Sequence, residues 1–168
     1  MERKNIAIIG LIVVILLMGI GYAAFSKLLN INGTANISAN WDVRISNITE
    51  GSLVGATPKT AAIVGNDNLS ATFDIDLKYP GASATYIVTI QNAGTIDAIL
   101  ETVSGVDTAN SAEPTDLIYS INATEGDLLA SGTSKDYSVT VQWKENGTQV
   151  PNVQSKSATI TLNYLQNT

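Results

Sequence analysis

Apolar and polar residues alternate with a period of two along much of the chain after Leu28. Successive side chains of a β-strand point to opposite faces, so each such run offers one face to a core and one to water. The longer runs are 29–37, 41–45, 73–79, 86–91, 137–143 and 158–164, and the shorter candidates are 61–64, 98–103 and 117–121. This pattern predicts antiparallel sheets that are packed on one side and wet on the other.

Turn signals lie between these runs. Pro80 and Gly81 follow Tyr79 in the order that a β-turn favours, and the Gly-containing stretches 92–95, 131–134 and 145–148 also predict turns. No stretch after Phe25 has a convincing helical period, and residues 125–129 would form at most one turn of helix. These patterns therefore predict an all-β fold, namely a single antiparallel two-sheet sandwich of jelly-roll or immunoglobulin-like type. We expect an N-terminal hydrophobic signal helix to precede the sandwich.

The N-terminal residues have a different pattern, typical of a secretory signal. Arg3 and Lys4 precede a run, 6–20, in which every residue is apolar or Gly. Gly21-Tyr22-Ala23 fits the small-x-small pattern of a cleavage site, which predicts cleavage between Ala23 and Ala24. We therefore divide the chain into a signal peptide, 1–23, and a β-sandwich domain, 24–168.

An uncleaved membrane anchor is the alternative for the same segment. Residues 6–25 could span a hydrocarbon core of about 30 Å, and Arg3 and Lys4 would keep the N-terminus inside. In both cases we expect the domain to be exported to the cell surface or beyond, with membrane contact only through residues 1–23 before cleavage.

Composition excludes several kinds of site. The chain has no Cys and no His, so it has no disulfide, thiolate zinc site, Ser-His-Asp triad or imidazole base. Its formal net charge of −6 argues against nucleic-acid binding. Charged residues make up only 14%, whereas Ser, Thr and Asn number 14, 18 and 15. We expect no enzyme activity, no metal and no cofactor.

Two pairs of residues have more than one interpretation. Asp74 and Asp76 lie on one face of a predicted strand, where they could join a Ca²⁺ site or form a solvated face that limits edge pairing. Trp41 and Trp143 lie on apolar faces of predicted strands, which favours packing in the core over ligand stacking.

Three parts of the chain resemble one family. These are the signal end Gly21-Tyr22-Ala23-Ala24-Phe25-Ser26, the Pro80-Gly81 strand with its Asn92-Ala93-Gly94 turn, and the final strand 158–164. Together they resemble the TasA/camelysin family of secreted biofilm-matrix proteins of bacteria. The chain is much shorter than the best-known member and lacks its long insertions.

The resemblance implies a jelly-roll subunit that a dedicated signal peptidase processes and that polymerises with itself, head to tail, into extracellular fibres. The implied mechanism is donor-strand exchange, in which the mature N-terminal strand of one subunit completes a sheet of the next. Segment 28–38 would be the donor strand, and its groove-facing residues would be Leu29, Ile31, Gly33, Ala35 and Ile37. The alternation alone favours a first strand of the domain itself, and the resemblance favours the donor strand instead.

A second function is compatible with the same residues. The chain could be a membrane-anchored, monomeric immunoglobulin-like module for surface binding or adhesion, because a Pro-Gly strand with an Asn-x-Gly-Thr turn also recurs in such domains. Retention of residues 1–23 in the exported protein would favour this module, whereas cleavage would favour the fibre subunit.

Overall fold

The computed structural model describes residues 2–25, 31–146 and 155–167. The chain divides into two units, Met1–Ile37 and Ser38–Thr168. In the first unit, helix α1 spans Arg3–Phe25, and residues 31–37 belong to no helix or strand. Over the described residues, none of the helices combines the length and the apolarity that a membrane crossing requires.

The second unit consists mostly of antiparallel β-strands, which confirms the all-β prediction. Its strands are β1 Val43–Val54, β2 Ala56–Val64, β3 Ala71–Leu77, β4 Ser83–Asn92, β5 Ala98–Ser104, β6 Leu117–Ile121, β7 Leu128–Leu129, β8 Ser134–Trp143 and β9 Thr161–Gln166. A short helix, α2, spans Val106–Ser111 between β5 and β6.

The strands form three sheets. The largest has the order β1-β4-β8-β6, the second is the hairpin β2-β3, and the third has the order β7-β5-β9. In the four-stranded sheet, Tyr86 of β4 lies opposite Val139 of β8, and Val88 lies opposite Tyr137. Every pairing in the three sheets is antiparallel.

One face of the four-stranded sheet carries the core. Alternate residues of β4 point to this face, and Ala84, Tyr86 and Ile90 are buried there. The β2-β3 hairpin packs over one part of the face, where Phe73 stacks on Tyr86 with ring centroids 4.2 Å apart. The β7-β5-β9 sheet packs over another part of the same face. The core thus lies between one continuous sheet and two separate smaller ones.

The turn after β3 has the predicted chemistry. Gly81 has a φ of 92°, and the Ala82 N–H donates to the Tyr79 carbonyl at 3.0 Å. A positive φ at the third position, with Pro before it, is the pattern of a type II turn. Because Gly has no Cβ, it adopts this conformation without the strain that other residues would incur.

The structure differs from the sequence-based expectations in several respects. The described strands form three sheets where two were predicted, and the last strand begins at Thr161 rather than at Ala158. Residues 31–40 form no strand, although 29–37 alternates, and Leu29 lies outside the described residues. β1 continues to Val54, because irregularities in its pairing with β4 break the alternation on which the prediction depended. The prediction of no helix after Phe25 is wrong, since α2 has only six residues, too few to show a helical period. The short strand β7 lies where a turn of helix was expected.

Candidate functional site

A groove lies on the apolar face of the four-stranded sheet, between β3 and the chain segment that leads into β9. Its first cavity has a volume of about 610 Å³ and is walled by residues 68–73 on one side and by residues 158–162 and Tyr164 on the other. Its floor consists mainly of apolar side chains from all four strands: Val43, Ile45, Ile48, Val88, Ile90, Tyr119, Ile121, Tyr137 and Val139.

A second cavity, of about 380 Å³, follows the first along the same gap. Its walls are residues 74–78 of the β3 side and Ser155 and Lys156 of the opposite side. Val141 and Trp143 of β8 contribute to its floor. Tyr119 lines both cavities, so the two are adjacent along the sheet. We call the two cavities together the open groove.

The open groove lies beside two unpaired strand edges. Within the described ranges, β3 pairs only with β2, and β9 pairs only with β5. An unpaired edge leaves a row of backbone N–H and C=O groups without strand partners. The groove is therefore bordered by hydrogen-bonding groups on both sides and floored by apolar side chains.

The outer edges of the sheets are protected by other means. β1 has two irregularities in its pairing with β4, between Ile45 and Asn47 and between Glu50 and Leu53. β2 carries Pro58, which has no N–H to donate. Irregular pairing and Pro on an edge strand hinder the addition of another strand.

Charge divides the groove into two chemically different halves. Among the described residues that line the first cavity, Arg44 is the one that carries a charge, and its guanidinium lies 3.3 Å from the Asp42 carboxylate. The second cavity is lined by five charged residues: Lys59, Asp74, Asp76, Lys78 and Lys156. The first half is suited to large apolar side chains, and the second to an apolar side chain with polar neighbours.

The wall of the second cavity is held by a small hydrogen-bond network. The Lys156 ammonium donates to the Leu117 carbonyl at 2.7 Å and to the Pro114 carbonyl at 3.2 Å. The Tyr119 hydroxyl donates to the Lys156 carbonyl at 3.1 Å. Burial lowers the pKa of Lys156 and raises the pKa of the Tyr119 phenol. These bonds hold residues 155–156 against β6.

The wall of the first cavity depends on a glycine. Gly105 has a φ of 91°, and a Cβ at this position would lie 1.9 Å from the Thr159 carbonyl oxygen. Only Gly allows the backbone to approach so closely in this conformation. Gly105 therefore helps to set where residues 158–160 run beside the groove.

The two aspartates of the sequence analysis are exposed on β3. The Asp74 carboxylate lies 3.5 Å from the Lys59 ammonium, and Asp76 pairs with Lys78. The hydrogen bond from Lys78 lowers the pKa of Asp76. Among the residues that the structure describes, no three acidic side chains come close enough to hold a metal ion.

The predicted donor residues are exposed wherever they are described. The side chains of Ile31 and Ile37 are 93% and 98% exposed, and Ala35 is also exposed. Nothing lies within 4 Å of the position where Gly33 would carry a Cβ. Ala23 and Ala24, at the predicted cleavage site, belong to the last turn of α1.

Sequence reasoning missed the open groove itself. Alternation assigns the floor residues to an apolar face. It contains no signal that the strands packed on this face form two separate sheets, β2-β3 and β7-β5-β9. The prediction that Trp41 packs in the core is wrong, because Trp41 is 38% exposed and lines the first cavity. Trp143 is partly buried, and its indole N–H has no hydrogen-bond partner among the described residues.

Comparisons of the chain with protein-family models, with curated proteins and with solved structures find no match.

Proposed function

We propose that this protein is a secreted structural subunit that assembles into extracellular or biofilm-matrix fibres by donor-strand exchange. In this proposal, segment 28–38 of one copy fills the open groove of the next. The observation that carries the proposal is the groove itself, an apolar trough between the unpaired edges of β3 and β9. An extended segment placed there would pair with backbone groups and cover apolar side chains at once.

The chemistry of segment 28–38 suits such a groove. No charged residue occurs from Leu28 to Trp41, and the apolar residues lie at every second position from Leu29 to Ile37. β3 has seven residues, and the stretch from Ile31 to Ile37 also has seven, so their extended lengths agree at about 3.3 Å per residue. Insertion would join β2-β3 and β9-β5-β7 into one sheet and complete a two-sheet sandwich of jelly-roll type.

Exposed isoleucines supply a driving force for insertion. Ile31 and Ile37 are almost fully exposed, and burying a side chain of this size contributes about 1.5–3 kcal/mol. The donor of one copy and the groove of the next are different surfaces, so the contact does not close on itself. A contact of this kind produces filaments rather than closed oligomers.

Export precedes assembly in this proposal. The proposed signal, residues 1–23, directs secretion, and a signal peptidase cleaves between Ala23 and Ala24, which frees the segment that precedes the domain. The resemblance to the TasA/camelysin family supports the same order of events. The fibre subunit needs no enzyme activity and no cofactor, and its partners are the peptidase and other copies of the chain.

Expression of the full-length chain with export tests the proposal. We expect the exported protein to start at Ala24 by intact mass and to form filaments in electron micrographs. Ile37→Asp places a charge on the groove-facing side of the donor, and we expect it to abolish filaments. Asn32→Asp places the same charge on an outward-facing residue of the same segment, and it should leave filaments intact.

Several outcomes would contradict the proposal. Filaments of Ile37→Asp equal to those of the unmodified chain would show that segment 28–38 is not the donor. An exported monomer that retains residues 1–23 would instead agree with the membrane-anchored binding module. Circular dichroism of both variants checks that each retains its β-structure.

A further inference from the structure

We infer that the donor segment enters the open groove in one direction, parallel to β3, with Ile31 in the first cavity and Ile37 in the second. This inference rests on the proposed function and specifies how the partner copy binds. Three observations carry it: the directions of the two walls, the chemistry of the two cavities, and the position of Trp41.

The two walls of the groove run in opposite directions. β3 begins at Ala71 beside the first cavity and ends at Leu77 beside the second. The opposite wall begins with Ser155 and Lys156 beside the second cavity and ends at Tyr164 beside the first. Any inserted strand is therefore parallel to one wall and antiparallel to the other, which leaves two possible orientations.

The sizes of the side chains set the register. The inward residues of β3 are Ala71, Phe73, Ile75 and Leu77. The donor offers Ile31, Gly33, Ala35 and Ile37 at the same spacing. When Ile31 lies opposite Ala71, the two small donor residues lie opposite the bulky Phe73 and Ile75, and they pass over the Tyr119 ring that both cavities share.

The chemistry of the cavities favours the parallel orientation. It places Leu29 and Ile31 in the larger cavity, where Arg44 is the single charged residue among the described lining residues. The apolar side chain of Leu69, which belongs to the wall of this cavity, is 70% exposed and available for contact. Ile37 then enters the smaller, charged cavity, where it is flanked by the polar Asn36 and Ser38. The reverse orientation would place two large apolar residues in the charged half.

The position of the first residues of the domain distinguishes insertion into a neighbour's groove from insertion into the copy's own groove. Trp41 lines the first cavity, and the preceding residue, Asn40, is fixed to the domain, since its backbone N–H donates to the Thr95 hydroxyl at 2.9 Å. Ile37 precedes Trp41 by four residues, a reach of about 14 Å at most. The groove floor from Tyr137 to Trp143 spans seven residues, which are six steps of about 3.3 Å, or about 20 Å in all. A copy that filled its own groove would therefore place Ile37 in its first cavity.

Donation to a neighbour in the parallel orientation has the opposite geometry. Ile37 lies in the second cavity, so the body of the donor copy lies beyond that end of the acceptor. The acceptor's own segment joins its domain close to Trp41, which lines the first cavity. The incoming and outgoing connections then lie at opposite ends of each subunit, as a linear filament requires.

Engineered disulfides test the orientation. The natural chain has no Cys, so two introduced cysteines are the only thiols present. Thr72 and Asp76 are exposed on β3, beside the first and second cavities respectively. The parallel orientation places Asn32 beside Thr72 and Asn36 beside Asp76. Neighbouring strands bring such pairs within the Cα separation of about 4.4–6.8 Å that a disulfide needs.

We expect the full-length chains N36C/D76C and N32C/T72C, after export, to give ladders of covalent oligomers on non-reducing gels, which collapse to monomer on reduction. The crossed pairs N36C/T72C and N32C/D76C are the matched controls and should give no ladder. Filaments in which only the crossed pairs give ladders would overturn the orientation and leave donor-strand exchange intact. Filaments in which no pair is linked would overturn the orientation and register.

Monomeric outcomes have a different meaning. An internal N36C–T72C disulfide in a monomer would show self-insertion, which would overturn both the orientation and the proposed fibre function. A monomer with no disulfide in any of the four variants would overturn both as well. Circular dichroism of the reduced variants confirms that the exposed substitutions leave the fold intact.

Discussion

Asn110 of helix α2 binds the backbone of Tyr119 through both polar atoms of its side-chain amide. The Tyr119 N–H donates to Asn110 Oδ1 at 2.8 Å, and Asn110 Nδ2 donates to the Tyr119 carbonyl at 2.9 Å. These are the two bonds that a neighbouring strand would make to β6. The side chain therefore caps the outer edge of β6 and hinders strand addition there.

Asn110→Ala should destabilise the domain. It leaves an N–H and a carbonyl of a part-buried strand without their partner, a loss of about 1–3 kcal/mol in the free energy of unfolding. Urea unfolding measures the change. Asn163→Ala is the control, because its side chain donates to Glu101 on the exposed surface, and it should cost less than about 0.5 kcal/mol. Equal losses would contradict the capping role.

Tyr86→Phe should be neutral or slightly stabilising. The Tyr86 hydroxyl is buried, and no hydrogen-bond partner for it exists among the described residues. Removing a buried, unpaired hydroxyl relieves a desolvation penalty of about 1–3 kcal/mol. The small gap that the lost oxygen leaves cancels part of this gain in stability. Tyr119→Phe is the comparison, since it breaks the bond to the Lys156 carbonyl and should cost about 1 kcal/mol. A larger loss for Tyr86→Phe than for Tyr119→Phe in thermal unfolding would refute this prediction.

Gly105→Ala should impair both folding and assembly. Gly105 and Gly126 both have a φ of 91°, so Ala at either position introduces backbone strain of about 1–2 kcal/mol. Only at Gly105 would the new methyl group also meet the Thr159 carbonyl oxygen, at 1.9 Å, whereas nothing lies within 4 Å at Gly126.

Because residues 158–160 wall the first cavity, we expect Gly105→Ala to lower the melting temperature more than Gly126→Ala and to reduce filament yield. Differential scanning calorimetry and sedimentation of the exported protein measure the two effects. Similar behaviour of the two variants would show that the close approach at Gly105 contributes little.

Stability should fall at alkaline pH. Burial raises the pKa of Tyr137 and of Tyr164, whose hydroxyls are 3.0 Å apart. Both phenols thus keep their protons to higher pH in the fold than in the unfolded chain, which loses them as pH passes about 10. Because the folded state then binds more protons than the unfolded state, stability decreases as pH rises above this value.

Urea midpoints from about pH 9 to about pH 11 bracket the transition. Tyr137→Phe removes one of the shifted titrations, so we expect its midpoint to fall less steeply over this interval than that of the unmodified chain. An identical slope would show that Tyr137 ionises alike in both states.

Alternation in the sequence was enough to predict most of the strands. The segments 117–121, 86–91 and 137–143 lie within or coincide with β6, β4 and β8, because each has one face on the core and one towards water. The Pro80-Gly81 turn was predictable for a local reason, since φ and hydrogen bonding there depend on four consecutive residues. Alternation could not locate the bulges of β1, because they depend on its pairing with β4.

The sequence by itself determined the class of fold and the apolar face of each strand, because side-chain direction in a strand depends only on position along the chain. The tertiary structure alone decided that the strands above the main sheet form two separate groups, in which no other described strand pairs with the edges of β3 and β9 beside the open groove. Strand pairing joins residues far apart in sequence, as Ser104 joins Thr161, and single-sequence periodicity carries no record of which strand lies beside which.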